Sequence, residues 1–163
     1  MRVLGVDPGT RATGWALVVT EGNRSQLESS GTVRPKGDDH AARLADLYRR
    51  FSRVVADLAP DCAAVESSFS GRNPRSGLTL AESRGVVLSS LGRAEVPTHS
   101  YTPAQVKSAM VGYGNAEKRQ VAFMVVRLLG LGTEPSADAA DAIGVALTHI
   151  HSHHLTAIGR RRM

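Results

Sequence analysis

The sequence predicts an α/β sandwich built on a mixed five-stranded sheet flanked by helices, and three observations carry that expectation. A continuous apolar run near the start, Val3 to Val6, is followed by two further strand segments parted by a turn signal, so the chain opens on a three-strand meander. A short apolar strand and, after a helical stretch, one more short strand then follow, and three helical stretches close the chain.

Taken in order, the first strand stops at Asp7-Pro8-Gly9-Thr10, a turn signal. Thr13 to Thr20 and Leu27 to Arg34 read as the next two strands, parted by Glu21-Gly22-Asn23. Asp38-Asp39-His40 opens a helix in which Leu44, Leu47, Tyr48, Phe51, Val54, Val55 and Leu58 recur at helical spacing until Pro60 ends it. Cys62 to Glu66 is a short apolar strand. A loop rich in Ser, Gly, Arg, Asn and Pro, Ser67 to Ser76, leads to a helix over about Gly77 to Leu91, and Thr98 to Tyr101 follows as a strand after Pro97. Helices over about Pro103 to Met110 and Glu117 to Leu129 bracket the loop Val111 to Ala116, and a last helix spans about Ser136 to His151.

A length of 163 residues suits one domain with a core that needs no disulfide or structural metal. With 42% hydrophobic and 21% charged residues and a mean hydropathy of -0.15, the composition excludes a disordered or fibrous chain. The longest apolar stretch, Val121 to Leu131, is broken by Arg127 and falls short of the ~20 residues a membrane span needs. The N-terminus enters a strand at once without a leader pattern, and the expected location is cytoplasmic. The single cysteine, Cys62, reads as a small core residue. Residues 1–155 are expected to form the domain, with 156–163, including Arg160-Arg161-Arg162, as a basic, solvated tail.

Twenty basic residues against 15 acidic give a net charge of +5 and a pI near 10.0, a balance that suits a polyanionic partner. Only Lys36, Lys107 and Lys118 are lysines. Carboxylates mark the chemistry. Asp7 and Glu66 each end an apolar strand, and the ends of strands buried on both faces lie at the sheet rim where sites form. Asp138 and Asp141, three apart on the last helix, have their Cβ atoms about 5–6 Å apart on one face. Four acids brought together repel one another unless a counter-charge is present, which points to oxygen ligation of a divalent cation, Mg²⁺ or Mn²⁺. Two such ions about 3.5–4 Å apart can activate water and stabilise the leaving oxygen of a phosphodiester. His149, His151, His153 and His154 crowd the end of the last helix and read as favourable charges at a helix C-terminus. Singly, each acid also has an ordinary explanation as a turn former, a strand end or a helix-start charge.

Several segments together resemble the RuvC family of bacterial Holliday junction resolvases. They are Asp7-Pro8-Gly9-Thr10, Glu66 with Phe69, Asn73-Pro74-Arg75-Ser76 followed by Arg84-Gly85, Val106-Lys107, Val111 through Val121, and Ala137-Asp138-Ala139-Ala140-Asp141-Ala142. The resemblance runs from residue 3 to about residue 154, and the Val106 to Val121 block is its most specific part. It implies a ribonuclease H-like fold and a homodimer that nicks two opposed strands of a four-way DNA junction. It also implies a branch-migration complex, RuvA and RuvB, as partner. Asp7, Glu66, Asp138 and Asp141 are then the metal ligands, and Lys107 and Lys118 act beside the scissile phosphate. Phe69 is expected to stack on unpaired bases at the crossover. Arg72, Arg75, Arg84, Tyr113 and Arg119 are further candidates for DNA contact. One departure stands out: Ala81-Glu82-Ser83 precedes Arg84-Gly85 where many relatives carry Gly-Gln-Ala, which puts a negative charge near the expected DNA or dimer face.

Other classes share parts of this pattern. An Asp-x-Gly-Thr turn also opens the phosphate loop of actin-like ATPases, which need a second domain. A ribonuclease of the same superfamily would share the acids without the Val106 to Val121 block, and a junction-binding protein would keep the basic loops without needing the acids.

Overall fold

The computed structural model describes residues 1–22, 24–67 and 74–160, with residue 74 and residues 154–160 described by backbone alone. Ten elements follow in the order β1 (Arg2–Asp7), β2 (Thr13–Glu21), β3 (Arg24–Val33), α1 (His40–Leu58), β4 (Cys62–Glu66), α2 (Pro74–Arg93), β5 (Thr98–Tyr101), α3 (Pro103–Val111), α4 (Lys118–Leu129) and α5 (Ala137–Arg160). They build one mixed sheet in the order β3-β2-β1-β4-β5. β1 pairs antiparallel with β2 and parallel with β4, β2 pairs antiparallel with β3, and β4 pairs parallel with β5.

Strand alternation divides the core into two layers. Val3, Cys62 and Ala64 point to one face, where they pack with Val106, Val121, Val125, Ile143, Ala146, Leu147 and Ile150 from α3, α4 and α5. Leu4, Val6, Ala63 and Val65 point to the other, against Leu47, Phe51 and Val55 of α1 and Val87 and Leu91 of α2. Each large side chain buried in this way contributes roughly 1.5–3 kcal/mol. β1 lies at the centre of the sheet and is apolar on both faces, which is why its sequence runs continuously hydrophobic rather than alternating.

Local signals fix the helix ends. Asp39 Oδ1 accepts from the Ala42 amide at 2.7 Å and starts α1. Thr102 and Gln105 form a reciprocal capping box at α3, with Pro103 in the first turn, and Gly112 closes that helix in the left-handed conformation (φ +95°). Glu117 and Gln120 repeat the box at α4.

Three boundaries differ from the sequence expectation by three residues or more. β3 begins at Arg24 rather than Leu27, because the hairpin ladder continues through Thr20↔Ser25 and Glu21↔Arg24 although those residues are polar. An edge strand holds its register through backbone pairing without an apolar face at every step. α2 starts at Pro74, three residues early, consistent with proline's tolerance in a first helical turn. α5 runs to Arg160 instead of stopping near His151, since no proline or glycine interrupts Ser152 to Ile158. The segment expected as a tail therefore continues the helix through Arg160, and 161–163 lie outside the described residues.

Candidate active site

The acids are assembled by the sheet and one helix. Val6 pairs with Val65, so Asp7 and Glu66, one step further on, end two neighbouring parallel strands. Alternation turns both side chains to the α5 face, in line with Val3 and with Cys62 and Ala64. The first turns of α5 cross that rim and carry Asp138 and Asp141.

Two glycines let the helix come this close. A Cβ on Gly5 of β1 would stand 2.0 Å from the Ala142 carbonyl oxygen, and one on Gly14 of β2 would stand 2.1 Å from that of Asp138. No side chain fits at either position, so the backbone of α5 rests directly on the sheet beside the acids.

The electrostatics are those of an overloaded anionic site. Burial pushes the Asp7 carboxyl up to about 7, and the charges of Glu66, Asp141 and Asp138 add to the rise while Lys118 opposes it. The Lys118 ammonium, at the start of α4, donates to Asp141 Oδ2 at 2.7 Å. That bond holds the Lys118 pKa above its ordinary value. On the far side of the cluster, Arg34 Nη2 donates to Asp138 Oδ2 at 3.0 Å, and the Thr32 hydroxyl approaches the same oxygen at 3.4 Å. Glu66, Lys107, Lys118 and Asp141 line one pocket of about 60 Å³ together with Pro103, Val106 and Val121.

Among the described residues, no three His, Cys, Asp or Glu side chains converge closely enough to hold a metal ion. Asp138 and Asp141 are instead turned to Arg34 and Lys118. The donor chemistry nevertheless fits a hard divalent cation: four carboxylates gather at one rim, and burial together with the neighbouring carboxylates outweighs Lys118 in raising the Asp7 pKa to about 7.

The remaining candidates are more dispersed. Tyr113 is exposed, and its hydroxyl accepts from Gln120 Nε2 at 2.8 Å. Arg119 is exposed beside Glu117, at 3.9 Å, and Arg75 is exposed in the first turns of α2. Arg84 is committed within the fold, donating to Ser100 Oγ at 2.9 Å. Glu82, the residue that departs from the family pattern, takes His40 Nε2 at 2.6 Å and ties α2 to the first turn of α1. Phe69 and Arg72 lie outside the described residues.

The histidines need correction. His149 is not a solvated charge at a helix end: α5 continues past it, and the ring is 5% exposed. Its Nδ1 meets the Tyr101 hydroxyl at 2.8 Å and its Nε2 lies 3.4 Å from Cys62 Sγ. The His99 ring packs against it at a centroid distance of 4.4 Å. Burial, reinforced by His99 and His153, pushes its pKa down to about 4 and keeps it neutral. Cys62 is buried, as its sequence context predicts.

Sequence reasoning missed Arg34, Thr32 and the two glycines. The signal was present in the topology: Asp7 pairs with Gly14 and Gly14 with Thr32, so one row across three strands brings Gly14 and Thr32 to the acid rim, with Arg34 just beyond the end of β3.

The family model for crossover junction endodeoxyribonuclease RuvC matches residues 3–149. The RuvC of Ralstonia pickettii is 45% identical over 152 residues, covering 93% of this chain and 84% of that protein. The RuvC of Syntrophomonas wolfei is 45% identical over 158 residues, covering 96% and 92%. Among solved structures, Thermus thermophilus RuvC in complex with Holliday junction substrate superposes with a TM-score of 0.88 at 33% identity, covering 96% of each chain. The mixed sheet with its flanking helices is thus the ribonuclease H-like arrangement that the sequence resemblance implied. The chain belongs to the RuvC family of crossover junction endodeoxyribonucleases.

Proposed function

We propose that the chain resolves four-way DNA junctions in recombination and repair by symmetric nicking of two opposed strands, leaving 5′-phosphate and 3′-hydroxyl ends. The observation that carries this reading is the gathering of four carboxylates, from two strand ends and one helix, with Lys118 bound among them. Asp7, Glu66, Asp138 and Asp141 would hold Mg²⁺, for which Mn²⁺ can substitute, with two ions per site. When bound, such ions supply Lewis-acid activation of water and stabilisation of the departing oxygen.

The chain's own residues set the stage for that hydrolysis. Asp7 exchanges its proton near neutral pH, so its carboxylate becomes free for a cation as the pH rises through about 7. Lys107 and Lys118 line the pocket together with Glu66 and Asp141, and positive charge supplied there lowers the cost of the anionic transition state. Among the described residues, those lining this pocket include no hydroxyl or thiol, which favours water over a side chain as nucleophile. Tyr113, Arg75 and Arg119 are exposed and are assigned to the DNA backbone, with Arg72 assigned the same role and Phe69 assigned to stacking on unpaired bases at the crossover.

Symmetric nicking needs two copies of this site, supplied by a homodimer, and junctions would be delivered by the RuvA and RuvB branch-migration complex. The working location is the cytoplasm, in keeping with the absence of any helix long and apolar enough to cross a membrane among the described residues. Residues 1–155 form the catalytic domain in this reading, and the basic 156–163 segment adds non-specific attraction to DNA.

The test is cleavage of a mobile four-way junction beside a linear duplex and an RNA/DNA hybrid, in Mg²⁺ and in chelator. Paired symmetric nicks in the junction alone, dependent on metal, are the expected result. Cutting of the hybrid in preference to the junction would move the chain to the ribonuclease branch of the same fold.

A further inference from the structure

A second cationic site lies on the opposite layer of the sheet from Lys107 and Lys118. Thr10, Arg11, Pro35, His40, Arg43 and Thr79 line a polar cleft of about 460 Å³ between the β1–β2 turn and the N-terminal parts of α1 and α2. Neither Arg11 nor Arg43 has a carboxylate partner among the described residues, and 68–73 contains no acid. Arg43 donates only a long bond, 3.4 Å, to the Gly37 carbonyl. Glu82, the acid nearest in the chain to Thr79, is occupied by His40 at 2.6 Å. Two arginines that line one cleft with no ion-pair partner among the described residues favour an anion between them. Guanidinium groups match phosphate oxygens in fork geometry.

The cleft is joined to the acid rim by the chain itself. Arg11 is four residues beyond Asp7, so its Cα lies within about 15 Å of the acid's. That is no more than about four nucleotide steps at the ~3.4 Å rise of one DNA strand. Pro35 follows Arg34, whose guanidinium holds Asp138. α1 and α2 pack on the Leu4 and Val6 face of the sheet, whereas α3 and α4, which carry the two lysines, pack on the Val3 face.

We propose that the cleft between the β1–β2 turn, α1 and α2 seats backbone phosphates of a duplex arm of the substrate through Arg11 and Arg43. The DNA is thereby gripped on both sides of the acid rim. The inference rests on the junction-nuclease reading and adds a contact surface to it.

The test is junction binding by the full chain in chelator, over about 50 to 200 mM salt. It compares wild type with Arg11→Gln/Arg43→Gln, with Arg43→Gln alone and with Arg11→Lys/Arg43→Lys. At about 0.9 per phosphate contact, the slope of log affinity against log salt is expected to become shallower by about 1.8 in the double glutamine variant and by about 0.9 in the single one. At about 0.1 M salt this corresponds to roughly a 60-fold loss of affinity for the double variant. The lysine pair should restore the slope, which a purely structural role for the arginines would not predict.

Slopes that coincide in all four proteins overturn the proposal. So does inorganic phosphate raising the melting temperature of wild type, but not of the double glutamine variant, while the DNA slopes coincide, because the cleft then takes small anions and not DNA. Wild-type cleavage in Mg²⁺ is scored in the same series. Failure of the cleft alone leaves that cleavage intact, whereas failure of the nuclease reading abolishes it.

Discussion

The two halves of α5 hold ionisable groups in opposite ways. At its start, Asp138 and Asp141 crowd Asp7 and Glu66, and burial with mutual repulsion lifts the Asp7 pKa to about 7. Further along, His149 is buried with both ring nitrogens engaged, and burial depresses its pKa to about 4. Both groups are driven toward neutrality, but only His149 reaches it with polar partners in place. The histidine end is therefore a finished piece of core that joins β5 and β4 to the helix, while the acid end keeps an unrelieved excess of negative charge. An unresolved electrostatic load marks function and a resolved one marks stability.

The largest way to separate the two ends is Asp7→Asn. Cleavage of a four-way junction should fall by about 10³-fold or more, equivalent to about 4 kcal/mol in the barrier, while binding in chelator changes little. The same substitution should stabilise the metal-free protein. An Asp whose folded pKa is raised to about 7 from 3.8 carries no penalty below the lower value and its full penalty above the higher one, so stability falls as pH rises through this window. Removing the charge should raise the melting temperature at pH 8 by about 4–8 °C, for a gain on the order of 2 kcal/mol. A variant that cuts normally would remove Asp7 from the catalytic set.

Next in size is Gly5→Ala. A methyl group 2.0 Å from the Ala142 carbonyl must push α5 off the sheet, at a cost of roughly 3 kcal/mol or more by chemical denaturation. Gly92→Ala in α2 meets no atom within 4 Å and should instead gain roughly 0.5–1 kcal/mol. If the two substitutions prove equal in effect, the close seating of the acid-bearing helix is not what Gly5 provides.

At the histidine end, His149→Phe should alter the dependence of stability on pH. A His whose folded pKa is depressed contributes stability that is fully present above the unfolded value of 6.5 and lost as pH falls toward about 4. Wild type should lose on the order of 2 kcal/mol between pH 7.5 and 4.5 beyond any loss in the variant. Parallel urea-denaturation curves at the two pH values in both proteins would contradict the neutral-ring assignment.

The smallest effect is expected for Glu82→Gln, which loosens the partly exposed pair with His40. It should cost about 1 kcal/mol or less. A loss of several kcal/mol would mean that this contact carries far more of the α1 to α2 packing than its exposure suggests.

Much of this architecture was legible in the chain. β4 falls at the residues that its apolar run indicates and β5 at the segment after Pro97, and Asp39, Gly112 and Gly130 mark helix ends by their own conformational preferences. Asp7 and Glu66 declared themselves because an acid that ends a doubly buried strand has few structural reasons to be there. Arg34 and Thr32 did not, because what gives them meaning is the pairing of β2 with β3, a long-range register that local periodicity does not contain. His149 was misread for a related reason: a helix C-terminus was assigned where α5 in fact continues, and the partners that neutralise the ring come from β4 and β5. The arginines of the α1/α2 cleft look like ordinary surface charge until the fold sets them around one cavity.

The central claim is that the acid rim is a cation-binding catalytic centre, and the most direct measurement is an electron paramagnetic resonance titration of Mn²⁺ into wild type and Asp7→Asn at pH 8. Saturable binding by wild type that is lost or strongly weakened in the variant is the predicted result. Equal Mn²⁺ binding by both proteins would contradict it.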